Sequence, residues 1–249
     1  LQGEFENQQR RASVMEQQSL QNVPKVNIFL HWVASFMIWA MGWRLVGYPP
    51  DKAKMVFVGA HHTANFDVFL MIMMSWKLRI RMSYLVANDL KFPLNVLSQW
   101  ANGIPIDRNN PNNNTVDQVI DYFNNTDKVA LMIAPEGRLR RVEYWRSGFY
   151  YIAMGTGVPI VPGYMDYGTK TIGIAEAFVP SGDIEGDMAR LEGYYAHVVA
   201  RFPEKASPVR VRPRTEAMTK RLNDRVAAMN GDGDVGGDGA TDQGQMTGV

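Results

Sequence analysis

"MVFVGAHHTANFDVF", residues 55–69, is the stretch on which the fold is read. Its first part, Met55 to Ala60, is apolar, β-branched and aromatic and reaches a glycine near its end, the composition of a short buried strand. From about Phe66 the pattern becomes that of an apolar helix. Thr63 and Asn65 stand between the two as candidate helix caps, so a strand, a tight turn and a helix follow one another directly.

The same alternation continues along the chain. "MSYLVA", "GIPID", "VALMIA" and "VPIVPGY" read as strands, and "PLNVLSQWA", "TVDQVIDYF" and "SGFYYIAM" as helical segments between them. Strand, helix, strand in repetition predicts an α/β fold, a mostly parallel sheet flanked by helices. "TIGIAEAFV", residues 171–179, is a further β-like run, followed by a helical segment from about Asp183 to Arg201. The turn-rich "NNPNNN", residues 109–114, directly follows Asp107 and Arg108. No internal repeat is present.

Before this region lies "VNIFLHWVASFMIWAMGW", residues 26–43, without a formal charge and with three tryptophans. As a helix it is about 27 Å long, close to the apolar thickness of a bilayer. Asn27, His31 and Ser35 recur every four residues and make one polar stripe on it, which argues against a lone span bathed in lipid. Lys25 precedes it and Arg44, Lys52 and Lys54 follow, so the charge asymmetry of a single crossing is missing. The expectation is an interfacial or re-entrant membrane helix, with a buried core helix as the alternative. The organisation read from the sequence is therefore a disordered segment over 1–22, an amphipathic membrane-associated helix over 23–50, a catalytic α/β domain over 51–215, and the end of a C-terminal helix with a Gly/Asp-rich disordered tail over 216–249.

Composition narrows the function. With 26 basic and 25 acidic residues the chain carries no global field to attract nucleic acid, so no nucleic-acid partner is expected. Zero cysteines exclude a disulfide framework, a thiolate metal site and a Cys nucleophile, and fit a reducing compartment. The localisation read from this is membrane-associated, with the catalytic domain on the cytoplasmic side.

His62 and Asp67 are five positions apart, which on a continuous helix would separate them by about 140°. A turn leading into the helix instead folds His62 back toward Asp67. A carboxylate at one imidazole nitrogen fixes the tautomer and stabilises the cation, leaving the other nitrogen to take a proton from an attacking group. That is a general-base dyad without a Ser or Cys nucleophile. The alternatives are a histidine that merely caps or packs, and a metal site built from His61, His62 and Asp67. His31 and His197 lie far away in sequence, and no metal is expected. Arg108 follows "GIPID", and Glu136 with Arg138, Arg140 and Arg141 lies in "APEGRLRR", residues 134–141. Both segments fall at carboxyl ends of predicted strands, where open α/β sheets place their sites. Arginines there make an anion pocket, since the guanidinium fork matches phosphate.

Taken in order, "HTANFD", "GIPIDR", "PEG" with nearby arginines and "GVPIVP", residues 157–162, resemble the four ordered blocks of the glycerolipid acyltransferase superfamily, of the lysophosphatidic acid (acylglycerol-phosphate) acyltransferase type. The resemblance covers roughly residues 55–185, and "YWRSGFYYIA", 144–153, is similar to the segment after block III in bacterial-type members. It implies an enzyme moving a fatty acyl group from a thioester donor, acyl-CoA or acyl-carrier protein, to the hydroxyl of a lysophospholipid-type acceptor. It further implies His62 and Asp67 as the catalytic dyad, Arg108, Glu136 and Gly137 on the acceptor's phosphate, and Pro159 near the acyl donor. The implied partners are membrane lipid and the thioester co-substrate, with no other cofactor. The chain departs from the family pattern at two places: Leu139 stands where block III has its arginine, and His61 where an asparagine is common before the base. Alternate residues of an extended segment share a face, so Arg138 or Arg140 is the candidate for the missing charge. Two further readings stay open at this level, a non-catalytic peripheral lipid-binding protein of the same fold and a metal-dependent phosphate-ester hydrolase.

Overall fold

The computed structural model describes residues 22–87, 102–107 and 115–212. The readings made for residues 1–21, for "PLNVLSQWA" and "NNPNNN", for Arg108 and for the C-terminal tail lie outside these residues.

Among the described residues seven strands form one sheet: β1 (Arg44–Val46), β2 (Lys54–Ala60), β3 (Met82–Ala87), β4 (Gly103–Ile106), β5 (Val129–Ile133), β6 (Ile160–Asp166) and β7 (Thr171–Ile174), in the spatial order β1-β7-β6-β2-β5-β3-β4. From β6 across to β4 every pairing is parallel. β7 pairs antiparallel with β6 and parallel with β1, so the last two strands on that side run the opposite way. The fold is α/β with a mostly parallel sheet, as the alternation of segments predicts.

Five α-helices belong to the described residues: α1 (Ile28–Ala40), α2 (Asn65–Lys77), α3 (Thr115–Asn124), α4 (Gly148–Thr156) and α5 (Ile184–Tyr195). They cover both faces of the sheet, and β2 shows why. Val56, Val58 and Ala60 point to one side and join Phe123, Phe149, Ile152 and Leu191 of α3, α4 and α5. Met55 and Phe57 point to the other and join Ala34 and Ile38 of α1 and Leu70, Met71 and Met74 of α2. A strand buried on both faces reads as a continuous apolar run because its side chains alternate between two cores.

The run 26–43 is helical only over Ile28–Ala40, about 20 Å at the standard rise. Among the described residues no helix is long and apolar enough to cross a membrane. Its orientation is decided by α2. Ala34 and Ile38 are buried against the protein, and on the same side His31 holds the carbonyl of Lys77 through Nδ1 at 2.6 Å. Phe29, Trp32, Phe36 and Trp39 face outward with 62–73% of their surface exposed. Of the polar stripe, His31 and Ser35 thus lie half-buried on the inner side while Asn27 stays exposed as the helix cap, and the aromatic face turns outward, the reverse of a soluble amphipathic helix. Beyond α1, Trp43 joins the same core and β1 joins the sheet, so residues 23–50 contribute to the main body.

Candidate active site

In parallel sheets the helix connections carry the chain back along the faces, so the carboxyl ends of neighbouring strands open into one crevice. Here the adjacent strands β5, β2 and β6 deliver Glu136, His61-His62 and Asp166-Tyr167 to the same edge. α2 then starts at Asn65, with Ala64 as its N-cap residue. Alanine has no oxygen to offer, and the expectation of Thr63 or Asn65 as cap is replaced by Asp67 reaching back from the first turn. One oxygen of Asp67 accepts the amides of Thr63 and Ala64, both at 2.8 Å. A negative side chain there also meets the positive end of the helix dipole.

The same carboxylate faces His62. Asp67 Oδ2 lies 3.4 Å from His62 Nδ1, at ion-pair range and longer than a hydrogen bond. The other oxygen, Oδ1, accepts the Tyr167 hydroxyl at 2.5 Å. Asp67 is wholly buried, and burial by itself would raise its pKa. The His62 contact, the Tyr167 hydroxyl and the two backbone amides together outweigh burial and hold the carboxyl below its ordinary value. For Tyr167 the same geometry acts in reverse: burial and the adjacent carboxylate push the phenol well up, so it stays a donor. His62 Nδ1 is sealed from solvent while 15% of the side chain is exposed, which leaves the Nε2 side of the ring toward the crevice.

Beneath the dyad, Glu136 locks block III to block I. Its carboxylate accepts the backbone N–H of His62 at 2.7 Å, and His61 Nδ1 lies 3.3 Å from its second oxygen. Glu136 is buried, so its role in this geometry is to fix the turn that carries His62. Tyr195 packs under the pair, its ring 6.0 Å from that of His61 and its hydroxyl donating to the Val58 carbonyl at 2.7 Å. Burial and the nearby Glu136 push the Tyr195 phenol far above its ordinary value.

Gly137 follows with φ of +69°, a turn conformation that favours glycine. The Arg146 side chain lies against it: a Cβ built on Gly137 would come within 3.1 Å of Arg146 Nε. Arg146 is also tied to the turn through its amide, which donates to the Pro135 carbonyl at 2.9 Å. Arg138 and Arg140 are exposed and make no ion pair with the described residues, and Leu139 is half-buried. The arginine placed on the block III turn is therefore Arg146, from the segment after it. The described part of block II ends at Asp107, beyond β4 and three strands away from β2, a lateral distance of about 14 Å. Pro159 stands at the amino end of β6, where its carbonyl accepts the Val56 amide. Tyr164 is the β6 partner of Ala60, so Pro159 lies about 16 Å along the strand from the level of the dyad. The structure thus brings His62, Asp67, Glu136 and Gly137 together and leaves Pro159 apart.

No group of three or more His, Cys, Asp or Glu side chains among the described residues could hold a metal ion. His61 and Asp67 spend their polar atoms on Glu136 and on Tyr167 and the backbone, so the sequence's His61, His62 and Asp67 do not converge as ligands.

Residues 44–166 match the family model described as Acyltransferase. That stretch of the chain belongs to the acyltransferase family. It spans the dyad and the block III turn and ends one residue before Tyr167. Among solved structures, the chain is similar to the 1-acyl-sn-glycerophosphate (LPA) acyltransferase PlsC from Thermotoga maritima, at 17% identity and a TM-score of 0.48 over 66% of this chain and 74% of that one. No curated protein matches the chain.

Tyr167, Arg146 and Arg201, which reaches the site from beyond α5, are the residues that sequence reading passed over. Tyr167 had a usable signal, since it follows the carboxyl end of a predicted strand. Nothing in the sequence around Arg201 points to it.

Proposed function

We propose that this acyltransferase-family chain moves a fatty acyl group from a thioester donor, acyl-CoA or acyl-carrier protein, to the hydroxyl of a lysophospholipid or related glycerophosphate acceptor. The observation that carries the reading is His62 with Nδ1 sealed against the buried Asp67 and its opposite ring edge toward the crevice. In this mechanism His62 Nε2 takes the acceptor's hydroxyl proton as the oxygen attacks the thioester carbonyl. The tetrahedral intermediate collapses with cleavage of the C–S bond, and the imidazolium returns the proton to the departing thiolate. An ester and a free thiol result, with no acyl-enzyme. Asp67 stabilises the transient imidazolium, and Tyr167 with the two helix-start amides keeps Asp67 ionised and aimed.

The exposed arginines on and beside the block III turn, Arg138, Arg140 and Arg146, together with Arg108 as the block II resemblance implies, would hold the acceptor's anionic head group and so convert a bimolecular encounter into an oriented one. The outward aromatic face of α1 supports seating on a membrane surface, with Phe29, Trp32, Phe36 and Trp39 in the interface, and the absence of cysteine fits a catalytic domain on the cytoplasmic side. The test is thiol release from acyl-CoA by wild type and His62→Ala, with and without lysophosphatidic acid. A chain without cysteine adds no thiol background. Acceptor-dependent release that His62→Ala abolishes supports the reading; equal release by both proteins overturns the base assignment.

A further inference from the structure

The segment after α5 does not leave the molecule but returns to the dyad. Val199 is fixed from both sides: its carbonyl accepts the Tyr167 amide at 2.8 Å, and its own amide donates to Asp166 Oδ1 at 3.2 Å. Ala200 is buried, and the Phe202 amide donates to Thr63 Oγ1 at 3.3 Å, directly beside the dyad turn. Arg201 lies between these anchors. Its guanidinium carbon stands 5.1 Å from the ring centre of Phe66, 5.9 Å from Tyr167 and 5.8 Å from Phe202. Phe66 immediately precedes Asp67, and Tyr167 is the residue that donates to it. A second cation, Lys205 Nζ, sits 4.4 Å over the same Phe202 ring.

Arg201, like Arg138 and Arg140, has no carboxylate within ion-pair distance among the described residues, whereas Arg190 has Glu176 and Arg210 has Glu143. Arg201 is also held in place, since three aromatic rings and a pinned backbone restrict the guanidinium while its edge stays exposed. Such a group has lost part of its entropy before a ligand arrives and, beside the hydrogen bond it gives the Tyr167 side chain, has further N–H donors to offer an anion, which the fork geometry matches best as a phosphate or carboxylate.

We propose that Arg201, with Lys205 beside it, binds a phosphate ester of the substrate at the mouth of the His62–Asp67 site. The choice of phosphate rests on the acyl-transfer reading above, in which phosphate is carried by the glycerophosphate acceptor and by the nucleotide part of acyl-CoA. Arg201 is then a specificity-determining residue contributed from outside residues 44–166.

The test has a binding arm and a kinetic arm. In the first, glycerol 3-phosphate and free CoA are titrated calorimetrically into wild type, Arg201→Ala, Arg201→Lys and, as a distant control, Arg190→Ala. Wild type and Arg190→Ala are expected to bind at least one probe equally, Arg201→Ala to bind it tenfold or more weakly, and Arg201→Lys to recover part of the loss. In the kinetic arm, Arg201→Ala is expected to raise KM for the phosphate-bearing partner by a similar factor with kcat within about threefold. A change confined to the acceptor assigns the acceptor's phosphate, and one confined to the donor assigns that of CoA. Absence of binding by wild type, or unchanged affinity in Arg201→Ala, overturns the proposal. Because the titration needs no turnover, Arg201-dependent binding by a protein that transfers no acyl group would retain the anion site while rejecting the acyltransferase mechanism.

Discussion

Asp67→Asn separates what the buried carboxylate does for the fold from what it does for chemistry. The native side chain accepts three hydrogen bonds, from the Thr63 and Ala64 amides and from the Tyr167 hydroxyl, and faces His62 at 3.4 Å. An amide of the same size can keep its oxygen toward the two amides and offer its NH2 to Tyr167, whose hydroxyl then turns acceptor. Each bond changes from charge-assisted to neutral, a loss of about 1 kcal/mol apiece, so the fold should weaken by about 3 kcal/mol. At ~2–4 °C per kcal/mol for a domain of this size, Tm should fall by about 6–12 °C with the cooperative transition retained. Turnover should suffer more. Without the carboxylate the imidazolium formed during attack is unsupported, and a general base contributes about 10²–10⁴-fold, equivalent to about 3–5 kcal/mol of barrier. The assays are thermal unfolding and acceptor-dependent thiol release on the same preparation. A folded Asp67→Asn protein within about threefold of wild-type kcat would refute the dyad, because nothing else in the geometry orients His62 Nδ1.

Acid stability should report the same carboxylates. Asp67 and Asp166 are both held below the ordinary value of 3.8, so their contribution is complete above that pH and is lost as pH falls through the lower folded values. Chemical unfolding across this window should show a shallower acid limb in Asp67→Asn, and an unchanged limb would mean that Asp67 is not ionised in the fold. Tyr167→Phe removes the 2.5 Å donor to a buried carboxylate, so Tm should drop by the equivalent of about 1.5–3 kcal/mol and kcat should fall with little change in either KM. Intact kcat would make Tyr167 structural only. For α1, Phe29→Ser with Phe36→Ser should weaken sedimentation with phospholipid vesicles by about tenfold or more, since insertion of two phenylalanines contributes at least about 1.4 kcal/mol. Undiminished vesicle binding would remove α1 as the seat. Gly137→Ala forces a Cβ onto a positive-φ turn and against Arg146, so it should cost about 1 kcal/mol or more and shift Tm accordingly; an unshifted Tm would mean that the turn relaxes freely.

The sequence by itself determined what depends on near neighbours. Alternation of apolar runs with Gly and Pro punctuation yielded the order of strands and helices, and a strand ending just before His62 placed the base at a carboxyl edge. The five-residue spacing of His62 and Asp67 required a turn, which the chain supplies. The antiparallel setting of β7 and the existence of β1, a strand of three residues, were not legible, because both rest on pairing with distant segments. The orientation of α1 was not legible either: a helix apolar nearly all round shows which face is buried only once α2 is laid against it. At the site, the bonds that hold the dyad join residues 74, 100 and 139 positions apart, from Glu136 to His62, from Tyr167 to Asp67 and from Phe202 to Thr63. Such contacts leave no periodic trace in the chain. They arise because the sheet brings the ends of β5, β2 and β6 side by side and the segment after α5 folds back across them, and only the tertiary structure sets that meeting.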